Sequence, residues 1–197
     1  MSKKVFKLSE KLRGVRIKYF TVVILLYTGI SASAQLFQST SSKITFLSDA
    51  PLEDIYAESN KSKSVFNISD NKIVVLMKPN TFIFKNPMMQ EHFLEDYMES
   101  DKYPKATLSG ILHGDFDVRK EGVYDVTVEG ILNIHGIEKK RVIKGNIIVR
   151  DGKLSVAAKF AIQVADHGIK IPSMKIKSIA EVVEVSVAID YKEVVSK

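Results

Sequence analysis

No cysteine occurs anywhere in the 197 residues. That excludes a disulfide framework, a thiolate metal site and a cysteine nucleophile, and leaves the hydrophobic core to hold the fold alone. Surplus charge is missing from most of the chain as well. The formal net charge is +6, but residues 1–34 hold seven of the 29 Lys and Arg and only one of the 23 Asp and Glu. Residues 35–197 therefore carry 22 of each and no net charge. A nucleic-acid partner loses its main support, because binding a phosphate backbone demands a basic face.

Signatures of catalysis are absent too. The sequence has no G-x-S-x-G elbow, no Gly-rich phosphate loop, no HExxH and no His-x-His spacing. His92, His113, His135 and His167 are scattered, and loop or hairpin histidines are mostly solvated or bonded to backbone. No metal, cofactor or enzymatic activity is expected. Glu91, Glu95, Asp96 and Glu99 read as the solvated face of a helix rather than an acid–base set. Asp115 and Asp117 read as water-facing residues of a strand, and Lys139-Lys140-Arg141 as a solvated basic hairpin or a contact for anionic headgroups.

What is present begins with a leader. A basic segment ends at Lys18, Tyr19–Ile30 is apolar, and Ser31-Ala32-Ser33-Ala34 is small, with Ala32 and Ala34 placed for cleavage before Gln35. The apolar run is near the roughly 7–15 residues of a signal-peptide core and short of the roughly 18–20 that span a bilayer. An uncleaved N-terminal anchor is the alternative, and a lipoprotein anchor is excluded because no Cys follows. The expected organisation is a signal peptide over 1–34 and one periplasmic or secreted domain over 35–197, with no membrane span in its mature form. That domain is long enough to bury its own core, and no repeat, low-complexity segment or long linker divides it.

The exported part alternates like β-strand. Short strands are expected at Lys43–Ser48, Asp54–Ser59, Ser64–Ile68, Lys72–Lys78 and Thr81–Phe84, with another beginning at Ala106–Gly110. The later strands are longer. Tyr124, Val126, Val128, Leu132 and Ile134 alternate with polar residues, as do Ile143, Ile147 and Val149. Leu154 to Ile162 and Val183 to Tyr191 follow the same rule. Lys120-Glu121-Gly122, His135-Gly136-Ile137-Glu138 and Asp151-Gly152 supply tight connections. One amphipathic helix is expected at about 88–100, with Phe93, Tyr97 and Met98 on its apolar side. Met88, Met89 and Met98 flank it, either as core contacts or as cover for an opening. The fold class is therefore all-β with one helix. Because hairpin follows hairpin, a barrel is favoured over a sandwich, and its interior is either filled by side chains or holds one small ligand.

Four stretches in order resemble the YceI-like family of exported, lipocalin-like proteins. They are Gln90–Phe93 with Lys102-Tyr103-Pro104-Lys105-Ala106-Thr107-Leu108, then Gly130–Gly136 (GILNIHG), then Ala161–Pro172 (AIQVADHGIKIP), and the last strand EVVEVSVAIDY. The N-terminal third departs from the family, with Ile44-Thr45-Phe46 followed by Asp49–Asp54 where a His-bearing strand and a G-x-F segment are common. The resemblance implies an extended eight-stranded antiparallel barrel that binds a long amphiphile, a polyisoprenoid or acyl lipid, and it allows a homodimer. The residues expected at the ligand are Phe82, Phe84, Met89, Phe93, Tyr97, Val126, Val128, Leu132, Phe160 and Ile162. The alternative is a filled barrel acting as an envelope or stress-related interaction protein. If the leader is removed as expected, the intact mass of exported protein corresponds to a chain starting at Gln35, and a mass retaining residues 1–34 refutes it.

Overall fold

The structure, a computed structural model, describes residues 35–49, 54–171 and 179–194, so the expected leader lies outside the described residues. Strand alternation dictates most of what is seen there. β6 (Ala106–His113), β7 (Gly122–Ile134), β8 (Ile137–Arg150), β9 (Lys153–Gln163) and β10 (Val182–Val194) form an antiparallel meander. The apolar positions of β7 to β10 face one another inside, with Val126, Ile147, Leu154 and Ile189 all buried. β1 (Leu36–Ser48) pairs with β10 from Leu36↔Val194 to Leu47↔Glu184 and closes the sheet on itself.

The remaining segments complete eight strands by way of two breaks. β2 (Ile55–Ser59) and β3 (Lys63–Asn67) lie end to end along the free edge of β1. β4 (Lys72–Met77) and β5 (Ile83–Phe84) lie end to end along β3 and β2 in turn. The two interruptions are joined by the Ser59 and Thr81 hydroxyls at 2.7 Å. Pro79 sits in the second one, where the absence of an N–H costs no ladder bond. β4 then pairs with β6, completing a closed eight-stranded antiparallel barrel.

Several sequence expectations shift. β1 starts at Leu36, not Lys43, because the ladder to β10 shifts register between Ser39 and Ser41. This bulge turns Phe37 inward at an odd position and Ile44 inward at an even one, which disguises the strand's alternation. Gly122, Ile137 and Glu138 belong to strands rather than turns. Asp115 and Asp117 are exposed in the β6–β7 loop, not on a strand, while Phe116 between them packs 6.1 Å from Phe66.

The helix is shorter than expected. Asn86 caps it by accepting from the Met88 N–H at 2.9 Å, and Pro87 occupies the first turn. α1 (Pro87–His92) continues as a π-helical turn over Phe93–Tyr97, in which the Met98 N–H donates to the Phe93 carbonyl at 2.9 Å. A π turn stacks residues five apart, and this brings Phe93 and Met98 to the same side. Glu99, with φ of 41°, leaves the helix altogether, so the helix ends before Ser100. No helix among the described residues is long and apolar enough to cross a membrane.

One end of the barrel is solid. Phe66, Leu112 and Ile147 are fully buried there, with Phe37, Val149, Leu154 and Tyr191 around them. Phe66→Ala is expected to cost about 3–5 kcal/mol of stability in urea unfolding, since it removes a ring from a close-packed floor. A loss below about 1 kcal/mol means that the floor collapses around the gap.

Candidate functional site

Above that floor the barrel is hollow. Ile73, Val126, Val128, Val156 and Ile189 belong both to the packed end and to the lower wall of a cavity of about 430 Å³. This is within the roughly 300–1,000 Å³ usual for small-molecule sites. Its walls are nearly all hydrocarbon. Polar groups enter only at Ser48, Asn86, His92, Tyr97 and Thr107, among the described residues.

The helix covers the other end. Phe93 reaches into a cluster with Phe46, Phe82 and Phe84, where ring centroids lie 5.1–5.8 Å apart in tilted, edge-on and stacked arrangements. Such pairs add about 0.5–1.5 kcal/mol each beyond area burial. Met98 is buried, while Met88 and Met89 border the cavity, and Met88 is 64% exposed. Thioethers in that position adapt to irregular apolar shapes.

All ten residues expected at a ligand border this cavity. Phe82 follows the turn at Pro79–Thr81, Phe84 comes from β5, and Met89, Phe93 and Tyr97 come from the helix and its π turn. Val126, Val128 and Leu132 come from β7, and Phe160 and Ile162 from β9. Sequence reasoning left out Phe46, Val75, Leu108, Val185 and Val187, which border it equally. The β10 residues carried the same alternation signal as β7. Phe46 was obscured by the bulged register of β1.

Two polar knots lie outside the hydrocarbon walls. In the floor, Tyr191 and Ser64 share a hydroxyl bond of 2.6 Å, and burial pushes the Tyr191 phenol up to about 12. At the covered end, Glu99 Oε2 and His135 Nε2 lie 2.7 Å apart. His135 Nδ1 donates to the His167 carbonyl at 3.2 Å, and His167 Nδ1 donates to the Ile137 carbonyl at 3.2 Å. Both His135 bonds are made when one proton sits between the carboxylate and the ring. The Tyr103 ring packs against His135 at 4.3 Å, and Gly136, at φ of 74°, leaves that ring room that a Cβ would take. Glu99 is thus a tether for the hairpin, not a member of a solvated helical face. His135 is buried beside it.

His167 is completely buried and its Nε2 has no hydrogen-bond partner among the described residues. Desolvation by burial lowers its pKa, against the raising effects of the Ile137 carbonyl and Asp166. Because the folded value lies below the ordinary value of about 6.5, this group's stabilisation is present above pH 6.5 or so and is lost as the pH falls. The urea midpoint is therefore expected to fall between about pH 7.5 and pH 5, and to fall less in His167→Gln. Equal falls in the two proteins refute the assignment.

The YceI-like domain model matches residues 34–191. No curated protein matches the sequence. Among solved structures, a polyisoprenoid binding domain from Saccharophagus degradans, implicated in plant cell wall breakdown, superposes with a TM-score of 0.70. It is 14% identical, over 80% of this chain and 98% of that one. BcnA of Burkholderia cenocepacia superposes with a TM-score of 0.65 at 13% identity, covering 76% and 95%. The Campylobacter jejuni YCEI protein gives 0.54 at 17% identity, covering 74% and 88%. At these identities the solved structures speak for the fold, and the domain match over most of the chain establishes that this protein belongs to the YceI-like family.

Proposed function

We propose that the protein is an exported, non-enzymatic binder or carrier of a long amphiphilic lipid of polyisoprenoid or fatty-acyl type. The observation that carries this reading is the unequal filling of the barrel, solid at one end and hollow, hydrocarbon-walled and helix-covered at the other. Each methylene moved from water into such a cavity gains about 0.8 kcal/mol, so a tail binds with little help from polar groups. The tail lies on Val126, Val128, Leu132, Phe160 and Ile162, with Phe82, Phe84, Met89, Phe93 and Tyr97 over it. The family and the polyisoprenoid-binding relative support the ligand class. The basic leader with its apolar core and small-residue end supports export.

A second reading, an envelope or stress-related interaction protein, is favoured by one feature. Val65 and Val74 are cross-strand neighbours on the outer wall, and both they and Ile111 are more than a third exposed.

Native mass spectrometry of gently purified exported protein, followed by organic extraction, tests the carrier reading. A stoichiometric extra mass that extracts as lipid is the expected result. Delipidated protein should bind a fluorescent acyl probe, and Val185→Trp, which fills the cavity, should weaken that binding about tenfold or more without changing the circular dichroism. Protein that stays free of lipid after incubation with prenyl and acyl lipids refutes the carrier reading in favour of the second.

A further inference from the structure

The barrel is closed at its floor but divided at its covered end. Pairing between β8 and β9 runs from Arg150↔Lys153 to Gly145↔Ala158 and stops. Both strands continue beyond that point, each on its other edge. Residues 137–144 stay paired with β7, and residues 159–163 with β10 as far as Gln163↔Val182. On the far side, β4 leaves β6 beyond Met77↔Ala106, and β5 pairs with β2 alone. Two arms result, β6–β7–β8 and β9–β10–β1–β2–β5, with the cavity between them.

The two splits are filled differently. The one between β5 and β6 is spanned by the helix, whose Phe93 and Met98 pack into apolar surroundings. The one between β8 and β9 is crossed by polar bonds. The Arg141 guanidinium donates to the Ala161 carbonyl, His135 to the His167 carbonyl, and His167 to the Ile137 carbonyl. Opening the first exposes aromatic and thioether surface to water. Opening the second breaks three hydrogen bonds and parts Ile143 from Ile162, both buried at its borders, but leaves the aromatic cluster under the helix undisturbed.

The sequence also explains why the second split begins where it does. Continuing the register by one step would set Lys144 opposite Lys159, and like charges directly across a ladder repel. Lys159 is instead bound to Glu184 at 2.7 Å on the β10 side. The cavity reaches both borders of the split, with Ile143 and Gly145 on one and Ala158 and Phe160 on the other. On the outer surface a recess shares Gly145, Ala157 and Ala158 with it.

We propose that the split between β8 and β9 is the passage by which the lipid tail reaches the cavity, with Arg141 as its clasp and the helix as a fixed cover. This rests on the carrier reading above. The tail slips sideways between the arms at Phe160 and Ile143 without the helix leaving its aromatic cluster. Arg141 releases the Ala161 carbonyl to admit it and closes behind it.

A chain with no native cysteine permits a clean test. Val142→Cys/Ala161→Cys sets one thiol pair across the split, three steps beyond its apex, and a bismaleimide bridge serves where oxidation is incomplete. Displacement of a bound fluorescent acyl probe should be about tenfold slower or more in the bridged protein and return to the original rate on reduction, or in the unbridged control for bismaleimide. Arg141→Met should speed both binding and release about threefold or more while leaving the equilibrium affinity within about twofold. Probe exchange at the same rate in bridged and unbridged protein overturns the passage while leaving the carrier reading intact. Absence of probe binding in the unbridged wild-type protein overturns both.

Discussion

Everything inside this molecule depends on β1 meeting β10. The two strands come from opposite ends of the domain, and Thr40 donates to a backbone carbonyl 150 positions away, at Asp190. Without that ladder the sheet would have two free edges and no interior. Asp190 fastens the seam further. Its carboxylate accepts from Ser41 at 2.5 Å and Ser155 at 2.7 Å, tying β1, β10 and β9 together, and these hydrogen bonds hold it below the usual carboxylate range. The bulge beside Thr40 lets the strand bend around the closing barrel while still presenting Phe37 and Ile44 to the inside.

Closure alone creates a volume, and the side chains decide how it is divided. Phe37, Phe66, Leu112 and Tyr191 are large and converge on one end, where Phe116 from the β6–β7 loop adds a further ring. Midway along the barrel the inward residues are smaller, with Val126, Val128, Val156, Val185 and Val187 on the wall. Aliphatic side chains of that size leave an eight-stranded barrel partly empty. The helix prevents collapse or flooding of that space by bringing Phe93 onto Phe46, Phe82 and Phe84. Its last turn is π-helical because one more residue per turn carries Met98 inward together with Phe93.

Much of this was legible in the chain. Strict alternation over β7 to β10 identified those strands and sorted their residues onto an apolar and a polar face, because side chains two apart along a strand share a face. Val126, Val128, Leu132, Phe160 and Ile162 lay on the apolar faces so identified, and only the closed barrel shows that they border the cavity. The start of β1 was hidden by the parity change at its bulge. The short β2 to β5 resolved into two broken strands only through their common partners. Glu99 and His135, 36 positions apart, showed no spacing signal. They meet only because the end of the π turn and the β7–β8 hairpin are brought to the same end of the barrel.

By itself, the sequence determined that the chain is β-rich with one helix, uncharged overall over residues 35–197, free of disulfides and consistent with a YceI-like barrel. These follow from local periodicity and composition, which need no knowledge of distant partners. Tertiary structure alone decided which face is the lumen, where the filling stops and where the wall divides. Those depend on side-chain volumes summed across strands, and on a ladder that ends where Lys144 would meet Lys159.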